Sequence, residues 1–151
     1  MCEWIKIFSG FLTPVIALVT TYIAIQQYRT NKTKLRLELY HQRFKVFEAL
    51  MEFVGNVVSQ QVSAETVKLF DAETNEASFL FGSDVCDYLA LVRNKAAEIG
   101  QLSSQIEALM KYPVNEERTK LVNQKVELIK WFYEQLPISK AKFAKYLAIA
   151  D

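Results

Sequence analysis

The most distinctive pattern in this sequence is a run without charge near its start. From Ile7 to Ile25 the chain contains no charged residue, and apolar residues fall on every face of the helix that this run would form. At a rise of about 1.5 Å per residue, such a helix matches the roughly 30 Å hydrocarbon thickness of a bilayer. The run is too long for a cleaved signal peptide and lacks a small-residue cleavage site. It therefore predicts one transmembrane helix, with residues 1–28 as the anchor.

A basic stretch follows the predicted anchor and indicates its orientation. Residues 29–36 hold four cationic residues and no acidic one, whereas Lys6 is the single cation before the span. Because Lys and Arg beside a span are retained in the cytoplasm, we expect the N-terminus outside and the larger part of the chain inside. The four cations of this juxtamembrane neck also suit anionic lipid headgroups. They are Arg29, Lys32, Lys34 and Arg36.

The remaining chain, residues 37–151, has the apolar spacing of helices. A stripe with steps of three and four ends near Val58 and predicts a long helix, which either continues the anchor or restarts at Thr30-Asn31. Short helices are predicted over 64–72, after Ser63 as a cap, and over 75–81. Further helices run from the cap Ser83 to Pro113, from Asn115 to Pro137, and over 139–150.

These patterns predict an all-α protein. One N-terminal transmembrane helix continues into an antiparallel cytoplasmic helical bundle, and no alternating strand pattern competes with that prediction. The net charge of +1 hides three zones of about +5, −7 and +3, counted over residues 1–47, 48–107 and 108–151. The acidic middle zone argues against nucleic-acid binding. Cys2 and Cys86 form no disulfide framework and are expected to be free thiols.

The predicted span carries small residues on one face at four-residue spacing. Such a face lets helix backbones approach closely in lipid, so it is a candidate surface for self-association. It makes a homo-oligomer through the transmembrane helix one of the expected partners, beside membrane lipids and an unidentified protein. The residues of this packing face are Ser9, Thr13, Ala17 and Thr21.

Arg43 interrupts the apolar stripe of the long helix, next to Phe44. A guanidinium at such a boundary usually pairs with a carboxylate of a neighbouring helix, and the acidic zone offers several. We therefore interpret Arg43 as a structural clamp that holds the segment EASFLFGSD, residues 76–84, onto the long helix. Within this segment Gly82 is expected to be a left-handed helix terminator, and Phe79 and Phe81 to be core residues.

No set of residues predicts catalysis. His41 is the single histidine and has no nucleophile or ligand pair at a useful spacing. Asp84 and Asp87 lie three residues apart, but carboxylates in a first helical turn are what the helix dipole favours. We expect no cofactor, no metal and no enzymatic activity.

Two motifs connect this chain to a known group. The segment Tyr22–Phe53 contains a basic stretch of the type TNxxKLxLxLY and, at Arg43–Ala49, the sequence RFKVFEA. The segment Glu76–Leu89 reads EASFLFGSDVCDYL. Over roughly the first two thirds of the chain, which include these segments, the sequence resembles a group of small bacterial proteins of unknown function with one N-terminal transmembrane helix. The resemblance implies a single-pass protein of the bacterial inner membrane; His41 departs from the pattern, which often has an acidic residue there.

Two functions fit these expectations. The first is a non-enzymatic, membrane-tethered module for protein interaction or assembly, in which the bundle binds a partner. The second is an oligomeric membrane effector of the toxin or phage-defence type, in which the span forms a pore or disrupts the bilayer and the bundle regulates it. The two differ in one observable, since overproduction of an effector should dissipate the membrane potential and overproduction of a tether should not.

Overall fold

The computed structural model describes residues 3–113 and 115–148, and within them the side chains from residue 14 onward. All regular secondary structure in this part of the chain is helical, which confirms the predicted all-α class. The helices divide into two compact units, one up to Leu39 and one from Tyr40 onward. The helices are α1 (Glu3–Val58), α2 (Ala64–Thr74), α3 (Ala77–Leu80), α4 (Ser83–Leu109) and α5 (Glu116–Leu147).

The first unit is the N-terminal part of α1. The helix passes through Pro14 and through Thr30-Asn31 without a break, and every described side chain over residues 14–39 is exposed. Within the described residues, no helix meets the length and apolarity that crossing a membrane requires. Of the predicted span Ile7–Ile25, the side chains of residues 7–13 lie outside the described part.

The second unit is a helical bundle with an apolar core. One face of α1 beyond Tyr40 packs with α4, α5 and the short helix α2, because the apolar stripes of these helices repeat every three or four residues. Burial of each large side chain contributes about 1.5–3 kcal/mol. The fully buried core side chains include Leu50, Val54, Val57, Val85, Val92, Phe132 and Phe143.

The contacts fix the directions of the three long helices. Arg43 of α1 and Asp84 of α4 both bond to Tyr146, near the end of α5. Farther along, Phe53 of α1 stacks on Phe70 of α2, and Arg93 of α4 bonds to the neighbouring Asp71. The α1 and α4 helices therefore run in the same direction and α5 runs against both. The predicted antiparallel order holds for α5, whereas α2 and α3 carry the chain back so that α4 repeats the direction of α1.

Two predicted caps are confirmed at the atomic level. The Ser63 side chain accepts a hydrogen bond from the backbone N–H of Thr66, and the Thr66 hydroxyl accepts one from the backbone N–H of Ser63. Together the two bonds form a capping box at the start of α2. The Asn115 side chain accepts from the backbone N–H of Arg118 and opens α5. In both cases a short polar side chain satisfies an amide that the helix itself leaves unpaired.

The prediction that Pro137 ends a helix is wrong. Pro137 lies inside α5, on its exposed face, and the helix continues to Leu147. An interior proline costs about 3 kcal/mol because it lacks the N–H of the helical hydrogen bond. Burial of Phe132 before it and of Phe143 after it offsets that cost, at about 1.5–3 kcal/mol each.

Candidate functional site

The predicted anchor and neck lie on the exposed part of α1. Ala17 and Thr21, from the predicted packing face, are exposed, and the Thr21 hydroxyl donates to the backbone carbonyl of Ala17 at 2.8 Å. Ser9 and Thr13, the other two members, lie outside the residues whose side chains are described. The neck cations are exposed along the same helix; they are Arg29, Lys32, Lys34 and Arg36.

Large apolar side chains surround α1 ahead of the neck. They point in every direction around the helix, because their spacing includes neighbours as well as residues three and four apart. Leu18 is 73% exposed. Exposed apolar surface of this extent marks a region that another apolar phase covers, either lipid or protein. The exposed residues are Val15, Ile16, Leu18, Val19, Tyr22, Ile23 and Ile25.

A polar junction closes the bundle where α1 enters it. Arg43 donates from Nε to the carbonyl oxygen of Leu80 at 3.0 Å and from Nη1 to that of Tyr146 at 3.1 Å. The guanidinium also lies 5.5 Å from the centroid of the Tyr146 ring. Arg43 thus joins α1 to the EASFLFGSD segment through a carbonyl, whereas a carboxylate partner was expected. We call this cluster, completed by Gly82, Asp84 and Lys145, the Arg43–Tyr146 junction.

The Tyr146 hydroxyl links the other members of this junction. It donates to Asp84 Oδ1 at 2.7 Å and accepts from the backbone N–H of Gly82 at 3.1 Å. Lys145 Nζ lies 2.9 Å from Asp84 Oδ2. The hydrogen bond from Lys145, and after it the one from Tyr146, lowers the pKa of the Asp84 carboxyl, while its bond to Asp84 raises the pKa of the Lys145 ammonium.

The role of Gly82 differs from the predicted one. Its φ of −77° and ψ of 172° are extended, so it does not terminate a helix in the left-handed region but serves as the N-cap of α4, one residue before the expected cap Ser83. Glycine allows a close approach here, because an added Cβ would lie 2.7 Å from the Tyr146 hydroxyl oxygen, so the Tyr146 side chain would have to shift. Of the two expected core aromatics, Phe81 is buried, whereas Phe79 is 89% exposed.

A second polar cluster lies inside the interface of α4 and α5. The Tyr88 hydroxyl donates to Gln135 Oε1 at 3.1 Å and lies 2.9 Å from the Ser139 hydroxyl. The Gln135 amide donates in turn to the carbonyl of Trp131, so the cluster is internally satisfied. Burial raises the pKa of the Tyr88 phenol. The sequence did not reveal this triad, because its members are separated by about 50 residues and only the antiparallel packing of α4 and α5 brings them together.

The described side chains form no cluster of the kind that binds a metal ion. Among them, no group of three or more His, Cys, Asp or Glu residues could hold a metal ion. His41 is exposed and contacts the Tyr40 ring edge-on, with 5.9 Å between the ring centroids. The candidate functional surfaces are therefore the exposed apolar part of α1 with its basic neck, and the outer face of the bundle. No protein-family model, curated protein sequence or solved structure matches this chain.

Proposed function

We propose that this chain is a membrane-anchored, non-enzymatic module whose cytoplasmic helical bundle mediates protein interaction or assembly. One observation carries the proposal: large apolar residues ring α1 over residues 15–25 and are exposed there, and a run of exposed cations follows directly. A fully exposed apolar helix of this kind is unstable in water and stable in lipid. The charge-free run over residues 7–25 has the length to reach across a bilayer.

The basic neck supports an orientation for the anchor. Arg29 to Arg36 follow the apolar run within a few residues, where cations remain on the cytoplasmic side and meet anionic headgroups. The bundle from Tyr40 onward then lies in the cytoplasm. Together with the resemblance of the RFKVFEA and EASFLFG motifs, this orientation supports a place in a bacterial inner membrane, with the N-terminus outside.

The threonine hydroxyls are compatible with a single tethering helix. Thr20 and Thr21 donate to carbonyls of their own helix, at 2.9 Å to Ile16 and 2.8 Å to Ala17. Such bonds satisfy the hydroxyl donors within the helix, so these side chains need no second helix as an acceptor.

A matched pair of substitutions tests the anchor. Leu18 and Leu35 lie in the same helix and are equally exposed, at 73% and 72%, but only Leu18 lies in the apolar run. An arginine in the middle of a span costs about 2.5–3.5 kcal/mol of insertion free energy, whereas one more cation in the neck costs none. We expect Leu18→Arg to release the full-length chain from membranes at alkaline pH and Leu35→Arg to leave it bound. Equal extraction of both variants would contradict the proposal.

Membrane potential separates the tether from the effector. Overproduction of a tether is expected to leave the potential of intact cells unchanged, as read by a potential-sensitive dye. A loss of potential that Leu18→Arg abolishes would replace the tether with a pore-forming effector.

A further inference from the structure

Two adjoining hollows lie between α4 and α5, and no residue of α1 or α2 lines either of them. The part beside the start of α4 has a volume of about 490 Å³ and includes Leu91 and Ile138 in its walls. The part beside the start of α5 has a volume of about 1300 Å³ and a mostly polar lining, which includes Lys95 and Leu128. Trp131 lines both parts and joins them. We call the whole feature the α4–α5 groove.

The centre of this groove is apolar on both walls. Leu91 on α4 is 45% exposed and Ile138 on α5 is 41% exposed, and Trp131 between them is half-buried. An outward helix face normally carries polar residues, so exposed apolar side chains on facing walls indicate an unfilled contact. One side of the α4–α5 pair already packs on α1, and helices added on the other side would complete a four-helix arrangement.

The charges at the two ends of the groove differ. Beside the start of α4, Asp87 lies on one wall and Lys142 on the other. Neither residue has an ion-pair partner in the described part of the chain, although Lys142 Nζ lies 5.1 Å from the Tyr88 ring centroid. At the other end Lys95 pairs with Glu98 of its own helix, at 3.2 Å. Asp87 and Lys142 line the same part of the groove, so this part presents a carboxylate and an ammonium on opposite walls.

We propose that the α4–α5 groove is the contact surface between two copies of this chain, related by a two-fold axis parallel to the helices. In that arrangement each α4 lies beside α5 of the other copy at the same level, because the axis moves no residue along the bundle. Asp87 of each copy then meets Lys142 of the other, and Leu91 meets Ile138. In the part beside the start of α4, the two walls are complementary as this symmetry requires, with acid opposite base and apolar opposite apolar.

The direction of the axis rests on the proposed function, whereas the contact itself does not. In the proposed anchored state both copies are attached at Tyr40, and an axis along the helices keeps the two Tyr40 residues at the same level of the dimer. An axis across the groove would place α4 against α4 and Leu91 against its own equivalent. Anchoring to one membrane also raises the effective concentration of the two copies.

The mass of the full-length protein in detergent tests the contact, measured by sedimentation over a concentration series. We expect a dimer, and we expect Leu91→Asp to raise its dissociation constant about 30-fold or more, as for a central apolar contact. Val126→Asp is the matched control, since Val126 is 46% exposed on α5 but does not line the groove. Circular dichroism verifies that each variant remains helical. A monomeric wild type, or a dimer that Leu91→Asp leaves intact, would overturn the proposal.

A charge exchange tests the axis. Lys142→Glu alone should weaken the dimer by repulsion of Asp87, and addition of Asp87→Lys should restore it. With the axis across the groove each charge would face its own equivalent, so Lys142→Glu alone would not weaken the dimer, and that result would overturn the proposed symmetry. Membrane retention is measured on the same proteins. If the wild type is retained in membranes but is a monomer, the groove contact is refuted and the anchor is not. If it is a dimer but is not retained, the anchor is refuted and the groove contact is not.

Discussion

Leu18 and Leu50 belong to the same uninterrupted helix, yet one is 73% exposed and the other is completely buried. Around Leu50, apolar residues occupy one face of α1 and contact the bundle core, and charged residues occupy the opposite face. Around Leu18, apolar residues occupy all faces and no charge occurs. The comparison teaches that the angular distribution of apolar residues, more than their number, indicates the phase that covers a helix. A one-sided stripe indicates packing on a protein core, whereas an all-round distribution is what the proposed membrane anchor requires.

The largest expected effect is a loss of bundle stability on substitution of Leu50, the buried residue of the two. Leu50→Ala removes a fully buried side chain and should lower the free energy of unfolding of the bundle by about 2–5 kcal/mol. Leu18→Ala changes an exposed position and should leave the unfolding of the bundle unchanged within about 0.5 kcal/mol. Denaturant unfolding of both variants in detergent, followed by the fluorescence of Trp131, measures the difference. Similar losses for the two variants would show that the two parts of α1 are covered in the same way.

The next effect concerns Arg43, at the entrance of α1 into the bundle. Arg43→Met removes the hydrogen bonds to the carbonyls of Leu80 and Tyr146, and we expect it to lower the free energy of unfolding by about 2 kcal/mol. Arg29→Met, on the exposed neck, serves as the control and should have no effect on bundle stability. An unchanged melting temperature for Arg43→Met would show that Arg43 is not a clamp.

The smallest effect is the pH dependence of the Arg43–Tyr146 junction. Because Lys145 and Tyr146 lower the pKa of Asp84, its contribution to stability is present above the ordinary value of 3.8 and is lost as the pH falls through the lowered folded value. Asp84→Asn should therefore lose less stability than the wild type between pH 5 and about pH 2. Thermal melts across this range measure the difference. If the melting temperatures of the two proteins fell equally as the pH decreased, the assigned role of Asp84 would be contradicted.

Local signals in the sequence were sufficient to predict the helices and most of the residues at which they begin and end. Ser63 and Asn115 cap helices through bonds to residues three positions away, so their effect depends on no distant contact. Gly82 and Pro137 were misread because their local preferences are ambiguous. Glycine occurs at both ends of helices, and only the approach of Tyr146 from 64 residues away explains its presence here. Pro137 is tolerated because burial of Phe132 before it and of Phe143 after it offsets the helical hydrogen bond that it lacks.

The contacts of the candidate site were less predictable than the helices. The sequence singled out Arg43 as an unusual residue, but its partners are backbone carbonyls, which have no signature in a sequence. The Tyr88–Gln135–Ser139 triad and the α4–α5 groove arise from the register between α4 and α5. That register depends on the summed packing of the whole interface and on the parallel direction of α1 and α4, neither of which follows from the spacing of one helix.

The most direct test of the anchor compares the reactivity of cysteines at two equally exposed positions. Leu18→Cys and Leu35→Cys are each introduced into a chain with Cys2→Ser and Cys86→Ala, and open membrane fragments and detergent-solubilised protein are treated with a water-soluble maleimide. The protein leaves both positions accessible, at 73% and 72% exposure, so any difference between them reports the surrounding phase. We predict that Leu35→Cys in open membrane fragments reacts readily and that Leu18→Cys stays protected. Comparable reaction rates at both positions would contradict the membrane anchor.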